Sequence, residues 1–432
     1  MLRAPAYLVP VLLAGFLSVA CSVHAGERIS FGGYMKSFIT GIDQPEISAG
    51  LVSFDPDFLW ANNNRVRGNV SATLADWLTF DGSYDLSLRI QDDDLFMSDP
   101  NAVFQSFPVY RCEDLNTRIW PDNPGKGDNA AVFQNLDRLY FTASASNFDV
   151  IIGRQIIAWG SAHAINPTDI ITPFLFTEID TEDRIGVDAV RLRVPMGLMG
   201  EVDVGYVAGE DFEWEWSAAF ARSKFYALNT DVSLLAMAFH ENLLCGADIT
   251  RNIGGAGAWC ETGYVWANAL GDRASHDRDM DYLRLSAGMD YNFNVGSGLY
   301  GFFEYHFNGA GKNESGKYMK NAEDNSVAYE DGAVYLLGRH YLVPGVSYQL
   351  TALVSFFAQS FVSLSDGSAF IAPYVEYNIA ENMYLSVGGY ATIGDNPSIK
   401  VPQEIAEMSQ PSLNSEFGSY PNQYYAFLRY YF

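Results

Sequence analysis

The sequence predicts an all-β fold, a transmembrane antiparallel up-and-down β-barrel of about 18 strands, with 16 as the other count. Three observations predict it: period-two alternation repeated from end to end, unusually long alternating runs, and joints that are short at one end of the runs and long at the other. Composition agrees. With 48% apolar residues the chain can form a core, so disorder is excluded. No Gly-X-Y period accompanies the 38 Gly, which excludes collagen. A net charge of −26, from 52 acidic against 26 basic groups, would repel phosphates, so nucleic acid is not a partner.

In chain order, the first segment reads as a secretory signal peptide over residues 1–25. Arg3 gives a positive start, Leu8 to Ala20 is apolar, and Val23-His24-Ala25 fits a small-residue cleavage site. Lipoprotein cleavage before Cys21 is the lesser reading, because Ser18-Val19-Ala20 lacks a leading Leu. Residues 26–432 are expected to form the barrel.

The strands carry the case for it. In Leu78–Gln91 the residues Leu78, Phe80, Tyr84, Leu86, Leu88 and Ile90 alternate with Thr79, Asp81, Ser83, Asp85, Ser87 and Arg89. Successive side chains of a strand point to opposite sides, so this run has one apolar and one polar face. Arg65 to Leu74 alternates likewise, as do Leu283 to Tyr291 and Leu299 to Phe307. Runs of 10–13 residues exceed the usual strand of a sandwich and match the roughly 9–11 tilted residues that cross a bilayer.

The joints complete the pattern. Eight short turns fall near Ala75–Trp77, Ser146–Asn147, Pro195–Gly200, Leu228–Thr230, Asn252–Gly257, Asn294–Gly298, Thr351–Leu353 and Ala380–Asn382. Nine connections occupy the other rim, the long ones being 40–63, 92–132, 159–183, 309–339 and 394–421. Short turns on the periplasmic side and long loops outside are the outer-membrane arrangement. The stretch 209–256 decides between 18 and 16 strands. A barrel of either size can hold an aqueous channel, and closure pairs every backbone N–H and C=O in lipid.

The chain ends Tyr424-Tyr425-Ala426-Phe427-Leu428-Arg429-Tyr430-Tyr431-Phe432, with Tyr424, Leu428, Tyr430 and Phe432 on one face. This resembles the terminal strand of Gram-negative outer-membrane barrels. The resemblance implies lipid and lipopolysaccharide as surroundings and recognition by the barrel-assembly machinery. Gly153-Arg154-Gln155, Trp159-Gly160 and Asn166-Pro167-Thr168-Asp169 resemble a motif of porin-like proteins of Gram-negative bacteria. Asn166 before Pro167 is pushed from the helical region, and Thr168 and Asp169 can cap local backbone. Such a turn suits either a loop that folds inward to narrow the barrel or a rigid external loop.

Alternation puts Arg65, Arg67, Arg89, Arg138, Arg191 and Arg193 on polar faces, where they are expected to line the lumen; a guanidinium in lipid would cost roughly 2–4 kcal/mol near the midplane. They either stand free as anion sites or brace the wall against Asp81 and Asp85. Arg154 is harder to place, because Ile151 and Ile157 confuse the facing of its strand. A hairpin tip at 252–253 would oppose Cys245 and Cys260, a pairing that permits a disulfide in the oxidising periplasm. Cys112 stands apart.

Other chemistry is sparse. Ser161, His163 and Asp169 lie close in sequence but supply no nucleophile–base geometry. His240, His276, His306 and His340 are scattered as polar groups of wall or loop. Asp92-Asp93-Asp94 lacks the spacing of a calcium loop, and no haem or zinc spacing occurs, so no metal and no cofactor is expected. Carboxylates gather in loops instead, at Glu178–Asp183, Glu210–Glu215 and Glu323–Asp331. With no ATP-binding loop and strands starting near Glu27, the reading is a porin-like channel passing small polar or ionic solutes passively. A scaffold or sheath around an exported polymer or an electron-carrying protein is the second reading, and an outer-membrane enzyme the third.

Overall fold

The computed structural model describes residues 28–49, 52–54, 58–92, 110–121, 129–271, 280–399 and 411–432. The signal-peptide segment, Asp93, Asp94 and His276 lie outside the described residues.

Eighteen long strands form the wall. They are β1 Ile29–Asp43, β2 Leu59–Ala75, β3 Leu78–Gln91, β4 Ala130–Ser144, β5 Asp149–Gln155 and β6 Val187–Met196. Next come β7 Gly200–Ala208, β8 Ala218–Ala227, β9 Thr230–Phe239, β10 Asn242–Ile253, β11 Ala256–Trp266 and β12 Tyr282–Phe293. The last six are β13 Leu299–Asn308, β14 His340–Thr351, β15 Val354–Ser363, β16 Ala369–Ala380, β17 Met383–Ile393 and β18 Asn422–Tyr431. Each pairs antiparallel with the next, and β18 returns to β1 with Tyr34 opposite Tyr431. The barrel is closed, so none of the eighteen wall strands has a free edge.

All eight short turns lie on one rim, the rim where the described chain begins and ends. The stretch 209–256 yields all its hairpins because its turns have the backbone that tight hairpins need. Leu228 and Asn229 have φ of 54° and 59°, and His240 and Glu241 have 42° and 66°. Both positions of such two-residue turns carry positive φ, matching the twist of the flanking strands. Outward positions carry the apolar belt, including Val190 and Leu192, Leu234, Ile249, Phe303 and Val387. Exposed aromatics gather at the short-turn rim, among them Trp77, Phe148, Tyr291, Phe293 and Phe432.

Two expectations about length change. The loop at 40–63 is shorter than it reads, since β1 and β2 stay paired up to Ile42 opposite Leu59. Its polar run is wall, not loop: the Asn62 amide donates to the Phe38 carbonyl at 2.8 Å, and the Ser37 hydroxyl to Asn64 Oδ1 at 2.7 Å. Conversely, the connection read as 159–183 spans 156–186, because the chain leaves the wall at Gln155. Ile157 is therefore fully buried inside the barrel, which is why it confused the facing of β5.

The cysteine pairing is corrected. The β10–β11 hairpin turns at Gly254–Gly255, so Ile249 opposes Cys260 and Cys245 opposes Tyr264. Four residues of offset separate the two thiols by about 13 Å along the strands. Both are free and exposed, so there is no disulfide.

Candidate functional site

The segment 156–186 leaves the wall between β5 and β6 and crosses the lumen. Its first half is fastened by two buried wall carboxylates. Glu261 of β11 accepts from the backbone N–H of Ser161 (3.1 Å), Ala162 (3.3 Å) and Thr168 (2.8 Å), and from the Thr168 hydroxyl (2.6 Å). Glu304 of β13 accepts from the N–H groups of His163 (2.8 Å), Ala164 (3.4 Å) and Ile165 (3.1 Å), and from the Trp259 indole (2.9 Å). Ser286 of β12 donates to the Ile165 carbonyl at 2.6 Å. Neither glutamate stood out in the sequence, although alternation places both on inward faces of otherwise aromatic strands.

Its second half is fastened to the far wall by charge. Lys36 of β1, with no exposed side-chain surface, lies 2.9 Å from Asp180 and 2.8 Å from Glu182. Arg65 of β2 also pairs with Asp180. The Tyr34 hydroxyl donates to Asp183 at 2.7 Å and the Tyr431 hydroxyl to Glu182 at 2.6 Å. In a ring of eighteen strands β2 and β11 are nine positions apart, hence diametrically opposed. One segment thus bridges the bore.

The motif residues make that crossing fold. Gly160 has φ +109°, and a Cβ there would lie 2.2 Å from Asn166 Oδ1, so the glycine leaves room for the Asn166 side chain. Trp159 packs edge-on against Phe220 of β8, with centroids 4.7 Å apart. Pro167 passes close to Gly263 of β11, and the Asp169 N–H closes the turn on the Asn166 carbonyl at 3.2 Å. Asp169 is buried and paired with Arg184. Burial pushes its carboxyl up to about 6 despite that pairing. Gly153 of β5 is needed too, since a Cβ would meet the Leu139 carbonyl at 2.2 Å.

The wall arginines are paired. Arg67 is buried with Asp137 at 2.5 Å, Asp85 at 3.4 Å and Asp183 at 3.7 Å. Arg138 reaches Asp137 at 3.3 Å and donates to the Arg184 carbonyl at 3.0 Å. Arg191 and Arg193 of β6 pair with Asp203 and Glu201 of β7. Arg89 lies over the Phe133 ring, 4.8 Å from its centre. Arg154 grips Asp188 at 2.8 Å and donates to the carbonyls of Leu136 and Glu113, tying the 110–114 stretch to the wall.

Ser161, His163 and Asp169 are near one another in sequence but have separate engagements. Ser161 donates to Asp248, Asp169 takes Arg184, and His163 stacks on Trp259 at 3.9 Å. Burial against that indole lowers the His163 pKa. Nothing joins the three as nucleophile, base and orienter.

Loop 309–339 and the 411–421 stretch meet through Glu416. Glu416 accepts from the N–H groups of Leu337 (2.9 Å) and Gly338 (3.1 Å) and from the Tyr341 hydroxyl. Between segment 156–186, Tyr335 of loop 309–339 and strands β13–β18 a cavity of about 660 Å³ remains. Phe302, Phe357, Tyr374 and Tyr390 line its wall side, and Glu178, Asp180 and Glu182 its segment side.

No family model and no curated protein matches the sequence. Solved structures match it in fold. Pseudomonas aeruginosa OccK5 (OpdH) superposes with a TM-score of 0.54 at 8% identity, covering 94% of this chain and 98% of that one. Pseudomonas aeruginosa OccK8 (OprE) gives 0.53 at 8% identity over 94% and 98%. Acinetobacter baumannii OccAB3 gives 0.51 at 9% identity over 94% and 99%. The chain shares the fold of these barrels. That fold, with its outward apolar belt and closed hydrogen bonding, belongs in the outer membrane.

Proposed function

We propose that the chain is an outer-membrane channel for passive diffusion of small polar or ionic solutes, with segment 156–186 as its constriction. The observation that carries this is the crossing segment: it is fastened to opposite walls and leaves a space of about 660 Å³ beside it. That favours a channel over a sheath, because a segment bridging the bore obstructs an exported polymer or an inserted carrier protein. The separate engagements of Ser161, His163 and Asp169 disfavour hydrolysis.

In this reading Arg65, Arg67 and Arg138 hold the constriction and its wall through Asp180, Asp137 and Asp183, and are not free anion sites. Reconstituted protein should give discrete, steady conductance steps in planar bilayers. Silence from a barrel that is folded by heat-modifiability would contradict the channel.

Tyr424, Leu428, Tyr430 and Phe432 serve assembly in the same reading. Tyr424, Leu428 and Tyr430 lie on the outward face of β18, and Phe432, just past its end, exchanges two backbone hydrogen bonds of 3.0 Å with Gly33 at the seam. Deleting Phe432 should leave unfolded chain in the periplasm, as recognition by the barrel-assembly machinery requires. Normal amounts of heat-modifiable barrel in the outer membrane would contradict that role.

A further inference from the structure

The charged groups around the passage are unevenly satisfied. Arg184 is committed to Asp169 and Arg429 to Glu376, while Asp180 and Glu182 share Lys36. Arg284, 3% exposed, is turned toward the Gly332 carbonyl at 3.3 Å. Glu178 differs. The Leu175 N–H donates to its Oε1 at 3.1 Å, and among the described residues no basic group stands within ion-pair distance of it. Burial raises its carboxyl pKa, and the Leu175 N–H and the more distant Arg184 offset that only in part.

Aromatic side chains line the same cavity as that acid. Phe357 and Tyr374 stack with centroids 4.7 Å apart and planes at 14°, and with Phe302 and Tyr390 they line the wall opposite the segment. Phe176, two residues before Glu178, is wedged among Phe361, Phe370 and Tyr420 at 4.9 to 5.6 Å. This wedge holds the segment so that Glu178 faces the passage. A carboxylate outside ion-pair distance of any cation, in a cavity lined by aromatic rings, attracts a positive centre on both counts, since ring faces are negative and the carboxylate gains a partner.

We propose that the passage binds and conducts organic cations, solutes with a positively charged nitrogen on an apolar or aromatic body. Glu178 takes the charge, and Phe302, Phe357, Tyr374 and Tyr390 take the body. This rests on the channel reading and names its substrate class.

The test uses the reconstituted full chain with benzylammonium, benzoate and benzyl alcohol, three probes of one size and different charge. Benzylammonium should produce resolved blockades of the potassium chloride current at about tenfold lower concentration than benzoate. In Glu178→Gln that preference should vanish. Calorimetry on the wild-type barrel in detergent should show the same order, which keeps the result independent of whether the variant folds. Equal or stronger block by benzoate, or no block by any probe through a steadily conducting channel, overturns the cation inference and leaves the channel standing. Absence of conductance in folded wild-type barrels overturns the channel and this inference with it.

Discussion

Arg67 illustrates how single residues hold this structure. Its guanidinium is buried between Asp85 and Asp137, with Asp183 of the crossing segment at 3.7 Å. A buried pair contributes less than its Coulomb energy because both ions are desolvated, yet removing one member strands the others. Arg67→Ala should therefore lower the unfolding free energy of the barrel in micelles by about 3–5 kcal/mol, read from the urea midpoint. A change below about 0.5 kcal/mol would place the arginine in a solvated lumen instead. That Arg67 points inward follows from alternation alone. Its partners do not: Asp85 is one strand away and legible, whereas Asp183 is more than a hundred residues distant and reaches Arg67 only because the segment turns inward. The cysteines show the opposite failure. Their pairing depended on the residues at a hairpin tip, and a shift of two residues in that tip offset Cys245 and Cys260 by four.

At the scale of elements, the crossing segment depends on two glutamates. Glu261 and Glu304 between them accept six backbone N–H groups, and truncating either leaves buried donors unpaired at a cost of about 1–3 kcal/mol each. Glu261→Ala should loosen residues 161–168, giving a noisier and larger single-channel current and faster proteolysis within the segment while the barrel stays folded. An unaltered current and cleavage pattern would mean that packing alone seats the segment. The sequence offered half of this arrangement. Gly160, Asn166 and Pro167 announced a self-ordering turn, but the wall carboxylates that fasten it are single acids in strands and form no motif.

The outer loops carry a pH dependence at the same scale. Burial raises the Glu416 pKa from its ordinary value of 4.5 to about 7. Facing it are Tyr341 and the Leu337 and Gly338 N–H groups, while Asp366 receives its own N–H at 2.8 Å and the Tyr318 hydroxyl at 3.0 Å. A raised acid pKa means the folded loops hold the proton more tightly than the unfolded chain does. The stabilisation is complete below about pH 4.5 and is lost as pH rises through about 7. Proteolysis of loops 309–339 and 394–421 should accelerate between about pH 4.5 and pH 7 relative to a pH-matched exposed site and level off above that, and Glu416→Gln should flatten the profile. Protection that increases with pH would contradict the sign.

For the whole molecule, the barrel was legible because its determinants are periodic and local. Alternation, strand length and turn chemistry are set within a dozen residues, so the eight short turns fall where the sequence puts them, while the loop bounds at 40–63 and 159–183 shift. The content of the lumen is set by contacts between distant segments, such as Lys36 with Asp180, and by the aromatic nest around Phe176. No period in the sequence encodes such contacts. The account stands on one claim about that content, that segment 156–186 is what narrows the bore. The direct measurement is single-channel conductance of the wild-type chain against a chain lacking residues 162–176, both confirmed as folded by heat-modifiability. The deletion should conduct severalfold more, because the stretch held by Glu261 and Glu304 is gone and the bore opens toward β10–β13. Equal conductance would put the constriction elsewhere and contradict the account.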